Sequence, residues 1–587
     1  MTARYRGLDE ALVQAYAYLA AVGGEIMNLS SGVGIPTAHL TQGEADVITE
    51  DMLAAARRGV DDGILTVVSA GNDRHSEPDF ISGMPYFYPE LERGWLAVVA
   101  SRSDDQLASY SQDCGVAANW CIAAPGGDRG AADGSFKEEY FLLPSASGGY
   151  YLAAGTSFSA PLVAGALAVT REIFPDAPIG DVRKLLLRTA VDAGAPGVDP
   201  VFGWGRLDLG NVVDTISPSG RSIFAGAAQT RLLSIEQVSG LPFRPRSRSS
   251  RIRAMWAAGN FARARSDAGS SGKTRSQSRA LAAGLDLLDQ QGLTAGIGLA
   301  LARGTTRETG TANTARNDGL FGLGYAGWSS GRWYARGATG AGYLRQKHTR
   351  RSIPGLSGTV MEFENHQAGS RTNGLGIFTR LEAGRSFETE LAQISLFGRF
   401  SASSQKLKGF QESDVDVLAY TVKRAGLTTA TAGPGLRLSG SFASGGWTFT
   451  PEVEISYARV LGDRAPAVDA ALLERPMEAR TGDMGRDVLG LGANLSFSNA
   501  RTGPYRQAWL QGGVPPQCKA GQRSVQPVSG LLRHRQGGCR RLPARLRAGD
   551  LAVSGRLDQH GICQCHDCFT LGVESCCVQR SDHPAGA

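Results

Sequence analysis

Gly155-Thr156-Ser157-Phe158-Ser159-Ala160-Pro161 begins an Ala-rich stretch that predicts a helix over 157–174. A serine at a helix N-terminus lies in a positive electrostatic field, and the backbone amides there can hold a developing oxyanion. The small residues around Ser157 would let a substrate carbonyl approach closely. Taken alone, the segment equally fits an ordinary Ser/Thr cap with Pro161 in the first turn, so its meaning depends on the rest of the chain.

Short apolar runs alternate with helical stretches over residues 1–215. The apolar runs are 25–30, 63–70 and 95–100, and further helices are predicted over 45–58 and 179–191. Buried apolar strands separated by helices favour a parallel α/β sheet with flanking helices. Residues 216–280 are polar and rich in Arg, Ser and Gly, which predicts a linker.

Period-two alternation dominates residues 281–512. One parity of 447–460 carries large apolar side chains, namely Trp447, Phe449, Val453, Ile455 and Tyr457, and the other parity carries mainly Thr, Glu and Ser. Repeated segments with one apolar face and one small or polar face are typical of a transmembrane β-barrel, here of about ten to twelve strands. A soluble β-sandwich or β-helix also alternates and is the competing interpretation.

The charge and the cysteines of the chain are unevenly distributed. Of 587 residues with a net charge of +6, residues 513–587 contain 10 Lys and Arg, 5 Asp and Glu, and seven of the nine cysteines. Because the basic excess is confined to this tail, a nucleic-acid partner is not indicated. The tail is interpreted as a reading-frame change near 513; a basic interaction tail and a metal site at Cys563, Cys565 and Cys568 are the alternatives. No metal or cofactor is assigned.

Five segments, in order, resemble the subtilisin-like serine proteases, or subtilases. The nucleophile segment of that family reads G-T-S-x-[SA]-A-P, as 155–161 does, and its oxyanion asparagine ends an apolar strand in A-G-N, as 70–72 does. Residues 26–32 resemble its substrate-binding strand, 109–126 the strand pair before the nucleophile, and 202–208 its closing segment. The resemblance covers about residues 10–213, and the alternating half then resembles the barrel of an autotransporter.

The resemblance implies roles for the matched residues. Ser157 would be the acylating nucleophile, and the side-chain amide of Asn72 would donate to the tetrahedral oxyanion. An extended polypeptide substrate would pair with the backbone after the first apolar run. The implied substrate-binding residues are Ser30, Ser31, Gly32, Val33 and Thr156.

Cys114 and Cys121 are separated by six residues and flanked by predicted strands. They would form a disulfide in an oxidising compartment or remain two buried thiols. By resemblance, the barrel would lie in a bacterial outer membrane with lipid around it, and the protease would be at the cell surface or secreted. The chain has no recognisable secretory signal and no run of 18 apolar residues.

A serine nucleophile needs a base, and the base needs an orienting carboxylate. In subtilases these residues lie in D-[ST]-G and H-G-[TH]-x-V-A-G segments that precede every match above, and neither pattern occurs here. His39 and His75 have the wrong neighbours, and Asp61 and Asp62 read as surface charges at a helix end.

We therefore expect the chain to begin inside a subtilase domain, with an incomplete sheet and an incomplete barrel, and to be inactive as written. A catalytically dead outer-membrane barrel remnant and a peptide-binding pseudoprotease are the alternative functions.

Overall fold

The N-terminal half of the chain is an α/β domain. The computed structural model describes residues 2–50, 52–128, 130, 139–218, 220–243, 255–267, 272–390, 392–444, 447–464, 467–480, 482–483, 485–499 and 506–514. The elements of this half are α1 (Thr2–Val22), β1 (Ile26–Leu29), α2 (Gln42–Ile48), α3 (Met52–Asp61), β2 (Leu65–Ser69), α4 (Phe80–Gly83), β3 (Trp95–Ser101), β4 (Cys121–Pro125), β5 (Phe141–Pro144), β6 (Tyr150–Ala153), α5 (Thr156–Ile173), α6 (Ile179–Arg188) and α7 (Leu209–Asp214). The first four strands form a parallel sheet in the order β1-β2-β3-β4, which confirms the predicted α/β architecture.

The central strands β2 and β3 bury every side chain. Successive side chains of a strand point to opposite faces. Leu65 and Val67 of β2 therefore pack with α5 and α6, whereas Val68 packs with α1 and α3 on the other face. Burial on both faces requires continuous apolar runs, and this is the pattern that the sequence shows at 63–70 and 95–100. Among the residues that the structure describes, no helix is both long and apolar enough to cross a membrane.

A disulfide closes the loop before β4. It joins Cys114 to Cys121, the first residue of that strand. Residues 202–208 lie along β4: the Trp204 N–H donates to the Cys121 carbonyl (3.0 Å), and the Ala123 N–H donates to the Gly205 carbonyl (2.9 Å). The loop and the last segment of the domain are thereby both fixed to the edge of the sheet.

The C-terminal half is a large antiparallel sheet that curls around a helix. Its elements are α8 (Ser222–Gly240), β7 (Met255–Asp267), β8 (Lys273–Gln290), β9 (Leu293–Thr309), β10 (Thr314–Ser330), β11 (Trp333–Arg350), α9 (Val360–Phe363), β12 (Ala368–Glu388), β13 (Gln393–Leu407), β14 (Phe410–Gln411), β15 (Thr421–Val422), β16 (Ala425–Ser439), β17 (Phe442–Ser444), β18 (Trp447–Val460), β19 (Ala467–Leu472), β20 (Arg475–Arg480), β21 (Asp487–Asn499) and β22 (Arg506–Val514). The strand order is β7-β8-β9-β10-β11-β12-β13-β16-β18-β21-β22, with β17 paired to β18. Strands β14, β15, β19 and β20 form a separate small sheet. Apart from residues 513 and 514, which end β22, the tail 513–587 lies outside the described residues.

The two faces of the large sheet differ in polarity, as the alternation predicted. In β9, Leu299 and Leu301 are exposed, whereas Ala300 and Ala302 are buried. The interior contains charges that neutralise one another. There, Glu382 accepts from three arginines, Arg336 (2.6 Å), Arg399 (2.6 Å) and Arg437 (3.0 Å). An apolar outside around an inside that holds paired charges, beside an apolar cluster against α8, is compatible with a transmembrane barrel, and it confirms that interpretation.

Helix α8 lies inside the curled sheet, within the range where the sequence predicted a linker. Its side chains bond to inward residues of the strands: Thr230 to Ser276 (2.6 Å), Ser234 to Ser278 (2.7 Å) and Arg231 to Gln405 (2.8 Å). Strand β7 and part of β8 also lie within 216–280, so the sheet begins at 255 and the linker interpretation is replaced. A helix that is buried along nearly its whole length has no single apolar stripe, and strands with Arg and Ser on one face resemble a linker in composition.

An arginine on the outward face of the barrel is expected to impair assembly. Leu301 lies at the centre of β9 with 60% of its surface exposed, and a Leu301→Arg substitution places a charge in lipid, at a cost of about 2–4 kcal/mol near the bilayer midplane. We expect a smaller folded, heat-modifiable fraction in outer membranes. Leu461, a loop residue that is 58% exposed, is the matched control, and Leu461→Arg should assemble normally. Equal assembly of both variants would contradict a lipid-facing position for Leu301.

Candidate active site

Ser157 lies in the first turn of the 18-residue helix α5 and is half-buried. The turn that leads into the helix is bound to the carboxyl end of β4. The Gly155 N–H donates to the Gly126 carbonyl (2.9 Å), and the Ser159 hydroxyl donates to the Pro125 carbonyl (3.2 Å). Amides in a first helical turn have no acceptor within the helix, so the N–H of Ser157 can bind an anionic oxygen.

Asn72 follows β2, and its side chain is oriented by the residue beside Ser157. Its Oδ1 accepts from the Thr156 amide (2.9 Å) and from the Thr156 hydroxyl (3.0 Å). That hydroxyl in turn accepts from the Gly71 N–H (3.3 Å). Because both contacts occupy Oδ1, the orientation of the amide is fixed and its Nδ2 hydrogens face away from them. Gly71 has a φ of 112°, a backbone conformation that residues with a side chain rarely adopt.

The end of β1 lies beside the nucleophile turn. The Ser30 hydroxyl donates to the Ser157 carbonyl (2.9 Å), and the Asn28 amide donates to Ser30 Oγ (3.1 Å). The structure thus brings Ser30, Thr156, Asn72 and Ser157 into one connected group. Ser31 and Gly32 continue the chain at the surface, half-buried and exposed respectively.

The buried carboxylate of Asp79 holds this surface segment from behind. It accepts from the amides of Val33 (3.0 Å), Gly34 (2.6 Å) and Ile81 (3.0 Å). Burial raises the pKa of Asp79 above its ordinary value, although these amide hydrogen bonds act in the opposite direction. The Val33 amide is therefore committed to Asp79 and is not open to a peptide. Sequence reasoning missed Asp79, whose only local signal is its position before α4.

Asp128 and Tyr110 support the loop after β4 in a similar way. Asp128 is buried and accepts from the amide (2.6 Å) and the hydroxyl (2.6 Å) of Ser109. The Tyr110 hydroxyl donates to the carbonyls of Gly126 (2.7 Å) and Gly127 (2.9 Å). Since Gly126 also accepts from Gly155, these contacts extend to the nucleophile turn. In the sequence analysis, residues 109–126 resembled the subtilases, but Asp128 was not recognised as part of the site.

The histidines that the sequence set aside do not approach Ser157 as hydrogen-bond partners in the described part of the chain. His39 and His75 are exposed and lie edge to face, with ring centroids 6.4 Å apart. Asp61 forms a surface ion pair with Arg93. Within the described ranges, no group of three or more His, Cys, Asp or Glu side chains is arranged to hold a metal ion.

Two family models match the chain, one for each half. Residues 3–205 match the subtilase family, and residues 255–502 match the autotransporter β-domain. Together these regions include the candidate site and the curled sheet.

Curated relatives match the first of these regions. Serotype-specific antigen 1 of Mannheimia haemolytica is 38% identical over 166 residues, which is 28% of this chain and 17% of that protein. An extracellular serine protease of Serratia marcescens is 33% identical over 178 residues, 28% of this chain and 16% of that protein. The autotransporter lipoprotein NalP of Neisseria meningitidis is 31% identical over 165 residues, 26% of this chain and 14% of that protein. The chain therefore matches less than a fifth of the length of these relatives.

Removing the Asp79 carboxylate is expected to loosen residues 33–34. An Asp79→Ala variant leaves three amides without an acceptor, and an unsatisfied buried polar group costs about 1–3 kcal/mol. Amide hydrogen exchange at Val33 and Gly34 should then be roughly 10-fold faster or more. Asp73→Ala, at an exposed position of the same loop, is the matched control and should leave exchange unchanged. Unchanged exchange in Asp79→Ala would contradict this role.

Proposed function

We propose that this chain, whose residues 3–205 belong to the subtilase family and whose residues 255–502 belong to the autotransporter β-domain family, is by family a serine-type endopeptidase carried by an outer-membrane barrel. The β-domain indicates an outer-membrane location with the protease domain at the cell surface or secreted. The observation that carries the chemical proposal is the orientation of Asn72 by Thr156, beside Ser157 at the start of α5.

In the proposed reaction the Ser157 hydroxyl oxygen attacks a peptide carbonyl, a base takes the hydroxyl proton, and the carbonyl oxygen becomes the oxyanion of a tetrahedral intermediate. Asn72 Nδ2 and the Ser157 amide donate to its oxyanion. Both donors are held in place before the substrate arrives: Asn72 Oδ1 is bonded to Thr156, and the amide belongs to a helix fixed to β4. Donors that need no rearrangement when charge develops are the most effective electrostatic catalysts.

The substrate in this proposal is an extended polypeptide that adds to the segment after β1. Ser30 is bonded to the carbonyl of Ser157, so a strand along Ser30, Ser31 and Gly32 passes directly beside the nucleophile. Asp79 binds the Val33 amide and holds the far end of this segment in place. Main-chain pairing of this kind provides affinity without selecting strongly for side chains.

The mechanism also needs a general base. Among the described residues, no candidate base is hydrogen-bonded to Ser157. His39 and His75 contact each other at the surface. In a protease of this class, loss of the base or nucleophile lowers turnover by about 10⁶-fold. We therefore propose that the chain has a formed nucleophile and oxyanion hole, and that it cleaves peptides at a negligible rate.

Added imidazole should restore reactivity to a site that has a nucleophile and oxyanion donors but lacks a base. A fluorophosphonate should label Ser157 no faster than background in buffer, and faster in the presence of imidazole, because the added base replaces the missing one. Ser157→Ala should show no imidazole-dependent labelling, as measured by in-gel fluorescence. Rapid labelling of Ser157 without imidazole would mean that the chain supplies its own base. Labelling that imidazole does not affect would contradict the assignment of the nucleophile and its oxyanion donors.

Asn72 should contribute to that imidazole-dependent reaction as a donor. Asn72→Ala is expected to slow labelling by about 10²–10³-fold, the loss known for removing the equivalent donor in subtilisin. Asn72→Asp keeps an oxygen for the two Thr156 contacts but has no N–H, so it should be as slow. An Asn72→Asp variant that is labelled at the wild-type rate would contradict the donor role of Asn72. Circular dichroism would identify a variant that had failed to fold.

A further inference from the structure

The protease domain and the loops at one end of the barrel share a hydrophobic cluster. We call residues 353–361 and 415–420 the docking loops; they follow β11 and β14 respectively. Buried loop residues in the cluster are Ile353, Leu356, Met361, Val415, Val417, Leu418 and Tyr420. The same cluster contains Leu185 and Leu186 of α6 and Val212 of α7. Apolar side chains of the docking loops and of the protease domain are thus removed from water in one continuous cluster.

Hydrogen bonds also connect the protease domain to the docking loops. The Asp192 N–H donates to the Gly358 carbonyl (2.6 Å), and Val191 forms a β-bridge with Thr359. Asn211 Nδ2 on α7 donates to the Ser357 carbonyl (3.1 Å). These bonds lie at the edge of the apolar cluster, where Ser357 and Gly358 are exposed, and they fix the position of the loop on the protease domain.

A glycine lets the docking loop approach α7 closely. Gly355 has a φ of 83°, and a side-chain carbon at this position would collide with the carbonyl of Asn211 and with Thr215. The docking loop can therefore lie directly on α7 only because residue 355 has no side chain.

Polar contacts surround the apolar centre. The Tyr420 hydroxyl donates to the Thr215 carbonyl (3.4 Å), and Arg188 pairs with Asp416 at 3.7 Å. Both members of that ion pair are partly exposed, so the pair contributes little. The contacts resemble an ordinary protein interface, with an apolar core and a polar rim.

We propose that this interface holds the protease domain on the barrel independently of the peptide that connects them. The connection between α7 and α8 is short, and in the intact chain it makes docking intramolecular. The apolar core and the backbone bonds do not require that connection. After a cut between α7 and α8, the domain therefore remains at the membrane surface. This inference goes beyond the proposed function, since it does not depend on any activity of Ser157.

A cleavable full-length chain tests the proposal. A recognition sequence for a site-specific protease is inserted between Pro218 and Gly220, and outer membranes that contain the folded protein are treated with that protease. The cut itself is verified by gel electrophoresis. We expect the protease-domain fragment to sediment with the membranes, and to do so at high salt as well. Release of the fragment on cutting would overturn the proposal, and release only at high salt would overturn the apolar basis assigned to it.

Substitutions in α9 and the loop before it provide matched variants. Met361 is 2% exposed and belongs to the cluster, whereas Phe363 on the same helix is 63% exposed. Leu356→Ala and Met361→Ala should each speed release of the cut fragment by roughly 30-fold or more, the effect of truncating a well-packed apolar side chain. Phe363→Ala should release it at the wild-type rate. Equal rates for the buried and exposed positions would contradict the proposal.

A variant in the protease domain tests the interface even if the loop variants impair barrel assembly. If Leu356→Ala or Met361→Ala lowers the heat-modifiable folded fraction, Asn211→Ala removes the hydrogen bond to Ser357, together with one to Thr189 inside the protease domain, without changing the loops. Faster release from a normally assembled Asn211→Ala barrel supports the interface. Wild-type release in that variant would overturn the part assigned to α7.

Discussion

The complete burial of β2 and β3 is the constraint on which the candidate site depends. Their side chains pack on both faces, so other elements must cover the sheet on both sides, as is usual for the parallel strands found here. Parallel strands end at a common edge, where the loops that follow them meet. Ser30 follows β1, Asn72 follows β2, and Gly126 follows β4, so the packing of the core brings all three to the nucleophile turn.

The barrel follows from a second constraint, the need to separate an apolar outside from a polar inside. Because side chains alternate along each strand, every strand has one outward and one inward face. The inward charges are neutralised by contacts such as those of Glu382 with three arginines. Helix α8 joins this polar interior through hydroxyl and amide contacts. A helix that bonds on several sides to polar strands needs neither an apolar stripe nor a charged one.

This explains which parts of the molecule could be predicted from the sequence. Continuous apolar runs and strict alternation are local sequence patterns, so the parallel sheet and the barrel could be predicted from them. The motifs around Ser157 and Asn72 could be recognised from their order along the chain. The range 216–280 was misread because interior position, rather than periodicity, makes α8 helical. The roles of Asp79 and Gly355 were not predictable, since each acts on residues distant in sequence, Val33 in one case and Asn211 in the other.

The geometry of the candidate site is maintained by groups that also stabilise the domain. Asn72 is held by bonds to the first residue of α5, and that helix packs on β2 and β3. Asp79 and Asp128 are buried carboxylates whose amide partners lie in the loops of the site. Loss of catalysis would relax none of these contacts, because each is needed for packing whether or not a peptide is cleaved. The proposed oxyanion site is therefore maintained by the fold itself, whereas the proposed activity also needs a base at Ser157, which packing does not require.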